Sequence, residues 1–380
     1  MKSKFPDIGE TIFTTISLAA NKGEDVTNLG QGFPNFDAHP YLLERVCHHT
    51  LNQKNQYAPM MGVTQLREQI THSHYKYYET HFDPVEEVTV TSGATEAIFC
   101  AISAVVTPGD EVIILDPAYD SYNPNVRMNG GVPVHVNMNI ATPDDAFDWQ
   151  KIKDAITPKT KMIILNTPHN PSGVILKESD LDHLWDLIKD TSIYILSDEV
   201  YQHIIFDGHQ HVSPLNDERM RERTFAISSF GKSFHVTGWK VGYCIAPAKL
   251  TKEFRKIHQY TTFCTFAGFQ YALAETMERE PYYFSELSSF YQQKRDHFQS
   301  LLAKTSFKIL PCSGSYFQLV DYSAYSDKND FDYCLELIQT HKLAAIPLSA
   351  LYARPPEQKL IRLCFAKTQE TLEKSMDYFK

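Results

Sequence analysis

The stretch SSFGKSFHVTGWKVGY at residues 228–243 places Lys232 just past an apolar run, and a second lysine, Lys240, follows eight residues later. No acidic residue occurs in this stretch. Lysine is usually a surface residue with a hydrated ammonium group, because an unpaired charge is costly to bury. The position of Lys232 at the end of a predicted strand therefore marks it as a candidate for chemistry.

Short runs of β-branched and aliphatic residues recur on both sides of this stretch and are separated by turn residues. The runs show little polar alternation, which is typical of strands buried on both faces of a parallel sheet. Helical spacing of apolar residues fills the gaps, as at 94–106 and at 178–190, where Ser179 is the expected N-cap. We predict an α/β fold with a mainly parallel seven-stranded sheet, its strands lying near 87–93, 111–117, 132–137, 161–168, 193–199, 224–229 and 241–247.

The length of the chain, 380 residues, exceeds the size at which a single hydrophobic core stops growing. The pattern changes after about residue 275, where a long amphipathic helix is predicted over 282–304 and shorter strands and helices follow. We expect a large α/β domain at 40–275. A small α+β domain would be formed by 1–39 together with 276–380.

The composition argues against several classes of protein. Lys and Arg total 36 against 46 Asp and Glu, a net charge of −10, so a nucleic-acid binder is not expected. The seven cysteines have no metal-type spacing, and the histidines at 48–49, 72–74 and 209–211 have no partner at ligand spacing, so we predict reduced thiols, surface histidines and no metal site. The N-terminus lacks the apolar core of a signal peptide, and no run could span a membrane, so the cytoplasm is the expected location.

Polar residues follow several of the predicted strands, at the edge where parallel sheets bind their ligands. They comprise a small-residue turn that opens a helix, an aromatic ring, amides, a carboxylate, a phenol and an amine. This set suits a flat, phosphorylated heteroaromatic cofactor with an aldehyde, whereas no GxGxxG motif for a dinucleotide opens the first helix. The residues concerned are Thr91–Glu96, Tyr119, Asn166, Asn170, Asp198, Tyr201, Ser229 and Lys232.

These residues belong to motifs whose joint spacing resembles the class I/II aminotransferases of fold type I, which depend on pyridoxal phosphate. The resemblance covers essentially the whole chain. Two further segments are similar to the subgroup of methionine aminotransferases, kynurenine (glutamine) aminotransferases and cysteine-conjugate β-lyases. The family motifs are GATEA (93–97), NPSG (170–173), SDEVY (197–201), the 228–243 stretch and IRLCFA (361–366), and the subgroup segments are LGQGFPNFD (29–37) and AAIPLSALY (344–352).

The resemblance implies a role for each residue around the cofactor ring. Lys232 is the lysine that joins the cofactor aldehyde as an aldimine and later moves a proton, which requires an amine of lowered pKa. Asp198 pairs with the pyridine nitrogen. Tyr201 and Asn170 donate hydrogen bonds to the ring oxygen, and Tyr119 stacks on the ring.

The resemblance also implies how the phosphate group is held. The start of the helix at Gly93 would offer the backbone N–H groups of Ala94 and Thr95. Ser229 adds a hydroxyl group. Lys240 stands where many family members have arginine, so the charge is kept while the two-pronged hydrogen bonding of a guanidinium is lost.

Three further residues complete the implied site. Arg362 resembles the arginine that binds the substrate α-carboxylate, assisted by Asn170, and Gly32 lies in the loop that lines this part of the site. Tyr57 resembles the tyrosine that reaches the phosphate of the neighbouring subunit. The chain is therefore expected to form a homodimer with shared active sites.

The predicted activity is transfer of an amino group from methionine, an aromatic amino acid, kynurenine or glutamine to a 2-oxo acid by a ping-pong mechanism. Two alternatives stay open: a C–S β-lyase acting on cysteine thioethers, and a regulatory module that binds pyridoxal phosphate. No second cation for a side-chain carboxylate is evident, so aspartate is a weaker candidate donor. Candidate pocket aromatics are Phe33, Tyr119, Phe263, Phe266 and Tyr352.

Overall fold

The computed structural model describes Ser3 and residues 5–379. Thirteen α-helices are numbered in chain order within this part of the chain, and short 3₁₀ turns connect some of them. Their bounds are α1 (Ile12–Lys22), α2 (Pro40–Leu51), α3 (Thr64–Tyr78), α4 (Gly93–Val105), α5 (Tyr122–Met128), α6 (Trp149–Ala155), α7 (Glu178–Ile188), α8 (Phe230–Ser233), α9 (Ala248–Thr261), α10 (Ala267–Arg279), α11 (Tyr283–Leu302), α12 (Asp330–Thr340) and α13 (Gln369–Ser375).

Thirteen strands are described over the same residues, and all seven strands predicted for the large sheet are among them. Their bounds are β1 (Thr27–Asn28), β2 (Val88–Thr91), β3 (Glu111–Asp116), β4 (Val132–Asn137), β5 (Thr160–Asn166), β6 (Tyr194–Asp198), β7 (Thr224–Ser229), β8 (Gly242–Ile245), β9 (Lys308–Ile309), β10 (Phe317–Asp321), β11 (Leu343–Ala344), β12 (Ile346–Pro347) and β13 (Leu360–Cys364).

The seven-stranded sheet has the order β2-β8-β7-β6-β5-β3-β4. Only β8 runs against its neighbours, so the sheet is mainly parallel, as predicted. Both β2 and β7 are antiparallel to β8, so β2 ends at the same edge as the parallel strands. In the register, Gly242 at the start of β8 stands opposite both Thr91 and Ser229, which brings the ends of β2 and β7 together.

The apolar runs form this sheet because both of its faces are covered. Ile163 and Ile195 point to the face covered by α7 and pack in one cluster with Leu184. Their neighbours Ile164 and Leu196 point to the opposite face, into the cluster that contains α4 and α9. Alternate side chains therefore enter two separate cores, which explains the absence of polar alternation.

A second, antiparallel sheet follows, with the order β12-β13-β10-β9. Its strand β13 carries Arg362, which stands opposite Leu319 on one side and Ile346 on the other. The N-terminal segment joins this region through the parallel pairing of Thr27 with Leu343. The division into domains at 40–275 and at 1–39 with 276–380 stays a prediction.

The expectation that Ser179 is the N-cap of α7 was wrong. Helix α7 begins at Glu178, so Ser179 lies inside it, and the backbone N–H of Lys177 donates to Asp180 Oδ2 at 2.8 Å instead. All seven cysteines are free thiols, and five of them are buried. Within the described residues, no helix combines the length and the apolar character needed to cross a membrane.

The expectation of surface histidines was wrong at three positions. His49 and His74 are buried, and His211 Nε2 lies 2.8 Å from Glu199 Oε2 with both side chains almost fully enclosed. His49 contacts Glu275 at 3.0 Å. Their polar partners are far away in sequence, so local spacing gave no sign of them.

Candidate active site

A pocket of about 640 Å³, counting its open mouth, lies at the edge where the parallel strands end. This size is typical of sites for small molecules and cofactors. The pocket brings together most of the residues predicted from the strand ends and motifs. They are Gly93, Ala94, Thr95, Tyr119, Asn170, Asp198, Tyr201, Ser229, Lys232 and Lys240.

Lys232 lies in the one-turn helix α8, directly after β7, and its side chain enters the pocket. Its Nζ is 3.4 Å from the carbonyl oxygen of Gly32. Burial lowers the pKa of the amine to about 8, and the positive charges of Lys240 and Arg362 act in the same direction. A substantial fraction of the amine is therefore neutral in mildly alkaline solution, and only the neutral amine is a nucleophile.

Asp198 is the last residue of β6, and its carboxylate is buried at the base of the pocket. The hydroxyl of Tyr122 donates to Oδ2 at 2.6 Å, and the N–H of Val200 donates to Oδ1 at 3.3 Å. Burial raises the pKa of Asp198 to about 6, while these two hydrogen bonds and the charge of Lys232 oppose the rise. Such a carboxylate favours a cationic partner in the pocket.

The groups beside this carboxylate are an amide, a phenol and a second aromatic ring. Tyr201 is buried, and burial raises the pKa of its phenol, so the hydroxyl remains a donor. Asn170 Oδ1 accepts a hydrogen bond from Arg362 Nη1 at 2.8 Å. The hydroxyl of Tyr119 lies 3.5 Å from Thr95 Oγ1 and thus next to the start of α4.

The start of α4 lies beside Lys240 and Ser229 in the lining of the pocket. Gly93 has φ +77°, and a Cβ there would lie 3.2 Å from Cε and 3.4 Å from Nζ of Lys240, so the glycine leaves room for that ammonium. A Cβ at Gly242 would lie 2.8 Å from the backbone nitrogen of Ala94. Free N–H groups at a helix N-terminus, a nearby ammonium and the hydroxyl of Ser229 together form a binding site for an anion.

Arg362 is fully buried on β13, next to the pocket rather than in its lining. Besides its bond to Asn170, it donates from Nη2 to the carbonyl oxygen of Gly30 at 2.8 Å, and its guanidinium stacks 4.0 Å from the ring centre of Phe317. Its Nε has no hydrogen-bond partner within the described residues. A buried guanidinium bonded to neutral oxygens retains capacity for a carboxylate.

The chain matches one known protein family over most of its length. The model of the family "Aminotransferase class I and II" matches residues 24–379. The chain belongs to this family. It is 47% identical to the methionine aminotransferase of Escherichia coli K12 over 98% of this chain and 95% of that protein. It is 35% identical to mouse kynurenine–oxoglutarate transaminase 1, over 95% of this chain and 92% of that protein.

Solved structures agree with these matches. An Escherichia coli structure assigned a methionine aminotransferase function superposes with a TM-score of 0.96 at 46% identity, covering 100% of this chain and 98% of that one. The N-succinyldiaminopimelate aminotransferase of Mycobacterium tuberculosis superposes with a TM-score of 0.94 at 33% identity, covering 99% and 98%. The protein is an aminotransferase with the fold predicted from its sequence.

Besides Arg362, two predicted residues of the aminotransferase site lie outside the pocket lining. Gly32 borders the pocket through its carbonyl oxygen, which accepts from Tyr316 at 2.6 Å as well as from Lys232. Tyr57 is 87% exposed and contacts Phe263 edge to face at 5.7 Å. Because its implied partner belongs to another subunit, the role of Tyr57 stays a prediction.

The candidate specificity aromatics are dispersed. Of the five, only Tyr119 lines the pocket. Phe266 packs edge to face on Phe269, and Tyr352 is buried in the cluster that contains α7. Phe33 and Phe263 are each about two-fifths exposed.

The pocket also contains residues to which we had assigned no role. Asn166 was among the strand-end residues found in the sequence, and it stands opposite Asp198 in the register and donates to its carbonyl oxygen at 2.9 Å. Tyr122 lies behind the lining, in contact with Asp198, and the sequence gives no local sign of it because the two residues are 76 positions apart. The remaining lining residues are Ile98, Val200, Gly231 and Thr237.

Proposed function

We propose that this aminotransferase uses pyridoxal phosphate and transfers the amino group of methionine, an aromatic amino acid, kynurenine or glutamine to a 2-oxo acid in a ping-pong reaction. The observation that carries the proposal is the shared pocket, in which an amine of lowered pKa, a buried carboxylate and a site for an anion occur together. The names of the Escherichia coli and mouse relatives support methionine and kynurenine as donors.

The residues present fit this cofactor. The donors around Gly93 and Lys240 match a phosphate, and Asp198 keeps one carboxylate oxygen, Oδ1, with a single weak donor, which suits a protonated ring nitrogen. Tyr201 and Asn170 are available to the ring oxygen, and Tyr119 to the ring face. When bound, the cofactor supplies an aldehyde and an electron-withdrawing ring.

Lys232 has two tasks in this proposal. Its neutral amine would attach the cofactor, and once displaced by the amino acid it would take the proton from the substrate Cα and donate it to the cofactor carbon that had carried the aldehyde. Both tasks require an amine that gains and loses a proton near neutral pH. The lowered pKa of Lys232, caused mainly by burial, is suited to this.

Arg362 binds the substrate carboxylate, with Asn170 orienting the guanidinium. The cations that line the pocket are Lys232 and Lys240, within the residues that the structure describes, and both are assigned to the cofactor. No cation is therefore left for an acidic side chain. This supports donors with uncharged side chains such as methionine, whose thioether suits an irregular apolar space.

We propose further that the protein acts as a homodimer in which Tyr57 reaches the phosphate of the partner subunit. Large apolar side chains are exposed close in sequence to Tyr57 and to its contact Phe263, namely Leu51 at 83% and Tyr260 at 87%. Exposed apolar residues that gather in one patch are typical of interfaces. The free thiols favour the cytoplasm as its location.

The test is a half-reaction followed by absorbance. Protein loaded with pyridoxal phosphate is mixed with one amino acid at a time, and the products are collected. Methionine or an aromatic donor is expected to convert the cofactor to its pyridoxamine form and to yield the matching 2-oxo acid. Release of pyruvate and ammonia from a cysteine thioether, with the aldehyde form regenerated, would instead identify a C–S β-lyase. Sedimentation velocity of the same sample tests the dimer.

A further inference from the structure

The two oxygens of Asp198 are bonded very unequally. Oδ2 receives the short hydrogen bond from Tyr122 at 2.6 Å, and Oδ1 receives only the longer one from the N–H of Val200 at 3.3 Å. Hydrogen bonds to the ionised form of a carboxylate favour that form, and a short bond from a hydroxyl is the stronger of the two. Tyr122 is thus the main stabilising contact of a carboxylate that burial otherwise destabilises.

Tyr122 is well placed for this task because its side chain is buried and packed on both the carboxylate and a neighbouring ring. It is the first residue of α5, its side chain is 2% exposed, and its ring packs edge to face on Tyr119 at 5.7 Å. Burial and the neighbouring Asp198 raise the pKa of its phenol well above the usual value, so the hydroxyl remains a donor throughout the neutral range.

The nearby groups Lys232 and Glu199 do not keep the Asp198 carboxylate ionised in the way that Tyr122 does. Lys232 favours the ionised carboxylate but loses its proton near pH 8, and it is displaced during the proposed reaction. Glu199 opposes ionisation of Asp198, and it remains charged because His211 and Ser213 hold its pKa below the usual value.

We propose that Tyr122 is a positioning residue for catalysis: its hydroxyl keeps the Asp198 carboxylate ionised and directed into the pocket, while its ring supports Tyr119. The inference rests on the proposed function, since Asp198 matters there as the partner of the ring nitrogen. Tyr122 would thereby hold both Asp198, the proposed partner of the cofactor ring nitrogen, and Tyr119, the proposed stacking partner of the cofactor ring.

The experiment compares wild type with Tyr122→Phe, which removes the hydroxyl and keeps the ring contact with Tyr119. Pyridoxal phosphate is titrated into the cofactor-free proteins, and binding is followed by tryptophan fluorescence. The dissociation constant is expected to rise about tenfold, the change expected when one hydrogen bond to a charged group is lost. The pH at which the absorbance of the bound cofactor changes should also differ from that of wild type, because the Asp198 carboxylate is protonated more readily in the variant.

The same comparison in an Asp198→Asn background separates the two routes by which Tyr122 could act. If the hydroxyl acts through the carboxylate, adding Tyr122→Phe to Asp198→Asn should change the dissociation constant by less than about twofold. A tenfold change that persists in this background would overturn the proposal and assign the effect to packing. An unchanged affinity and titration for Tyr122→Phe alone would overturn it as well.

Tyr333→Phe is the matched control. Tyr333 is also buried, stacks on Tyr322 at 4.2 Å, and its hydroxyl has no hydrogen-bond partner within the described residues. Its removal should alter neither affinity nor titration. Wild-type protein that fails to bind pyridoxal phosphate would refute the proposed function itself, whereas normal binding by wild type and Tyr122→Phe alike would refute only the role of Tyr122.

Discussion

Two cations meet at the site from different sheets, and they are held in opposite ways. Lys232 follows β7 of the large sheet, and its only hydrogen bond within the described residues is a long one to the Gly32 carbonyl. Arg362 stands in the middle of β13 of the smaller sheet, fixed by Asn170, Gly30 and the ring of Phe317. Neither forms an ion pair within the described part of the chain.

The difference teaches what burial does to each kind of cation. Desolvation lowers the pKa of Lys232 to about 8, so the amine can be charged or neutral near physiological pH. Desolvation also lowers the pKa of Arg362, but a guanidinium keeps its proton under all physiological conditions. A loosely held amine that can change its charge suits covalent chemistry and proton transfer, and a rigid permanent charge suits recognition of a carboxylate.

The largest expected effect comes from removing the amine. Lys232→Ala should lower kcat by at least about a thousandfold, because both the nucleophile and the proton carrier are lost. Steady-state kinetics with methionine measures this, and circular dichroism checks the fold. Lys256→Ala is the control, since Lys256 lies on the surface of α9 and, among the described residues, pairs only with Glu253. Normal turnover by Lys232→Ala would remove the distinction between the two cations.

Arg362→Lys should have the next largest effect. The variant keeps a positive charge but loses the rigid fork, so kcat/KM should fall about a hundredfold, and by a similar factor for every amino acid. Kinetics with methionine, phenylalanine and glutamine checks this. A loss restricted to one class of side chain would make Arg362 a specificity residue rather than the carboxylate anchor.

The pH dependence of cofactor capture sharpens the comparison further. Attack on the aldehyde needs neutral amine, so the rate at which the cofactor-free protein binds pyridoxal phosphate covalently should rise with pH and level off above about 8. Stopped-flow absorbance between pH 6 and 10 measures it. In Lys240→Gln the plateau should begin at higher pH, because the charge of Lys240 helps to lower the pKa of Lys232. An unmoved plateau would mean that the charge of Lys240 does not contribute to this pKa.

The smallest expected effect concerns the phosphate. Lys240→Arg should lower the dissociation constant for pyridoxal phosphate about threefold, since a guanidinium offers paired donors to phosphate oxygens. Equilibrium dialysis measures the constant. Weaker binding would show that the narrow space above Gly93 excludes the larger group, because even a Cβ at Gly93 would lie 3.2 Å from Lys240 Cε.

Much of the fold could be predicted because parallel strands buried on both faces must be apolar throughout. The seven strands of the large sheet follow from this rule. Their polar ends could be found too, and ten of the residues that were given a role line one pocket. The residues around Lys232 could therefore be predicted, because most of them follow strands whose ends the topology brings to one edge of the sheet.

Contacts between distant segments could not be predicted in this way. The hydrogen bond from Tyr122 to Asp198 depends on how α5 packs against the sheet, and the local sequence DSYNP (120–124) gives no sign of it. The contacts of the enclosed side chains of His49 and His211 with Glu275 and Glu199 could not be predicted for the same reason, so these histidines were assigned to the surface. The role proposed for Tyr57 involves a second subunit, so the contacts within one chain do not test it.

The reversed direction of β8 has a consequence for what the chain can tolerate. Since β7 leaves the sheet edge at Ser229 and β8 re-enters it at Gly242, the whole segment between them, with both lysines, is pinned at its two ends to the same place. Insertions are usually tolerated in surface loops. Here an added residue would shift the amine and the ammonium together, so this segment has no freedom to vary in length.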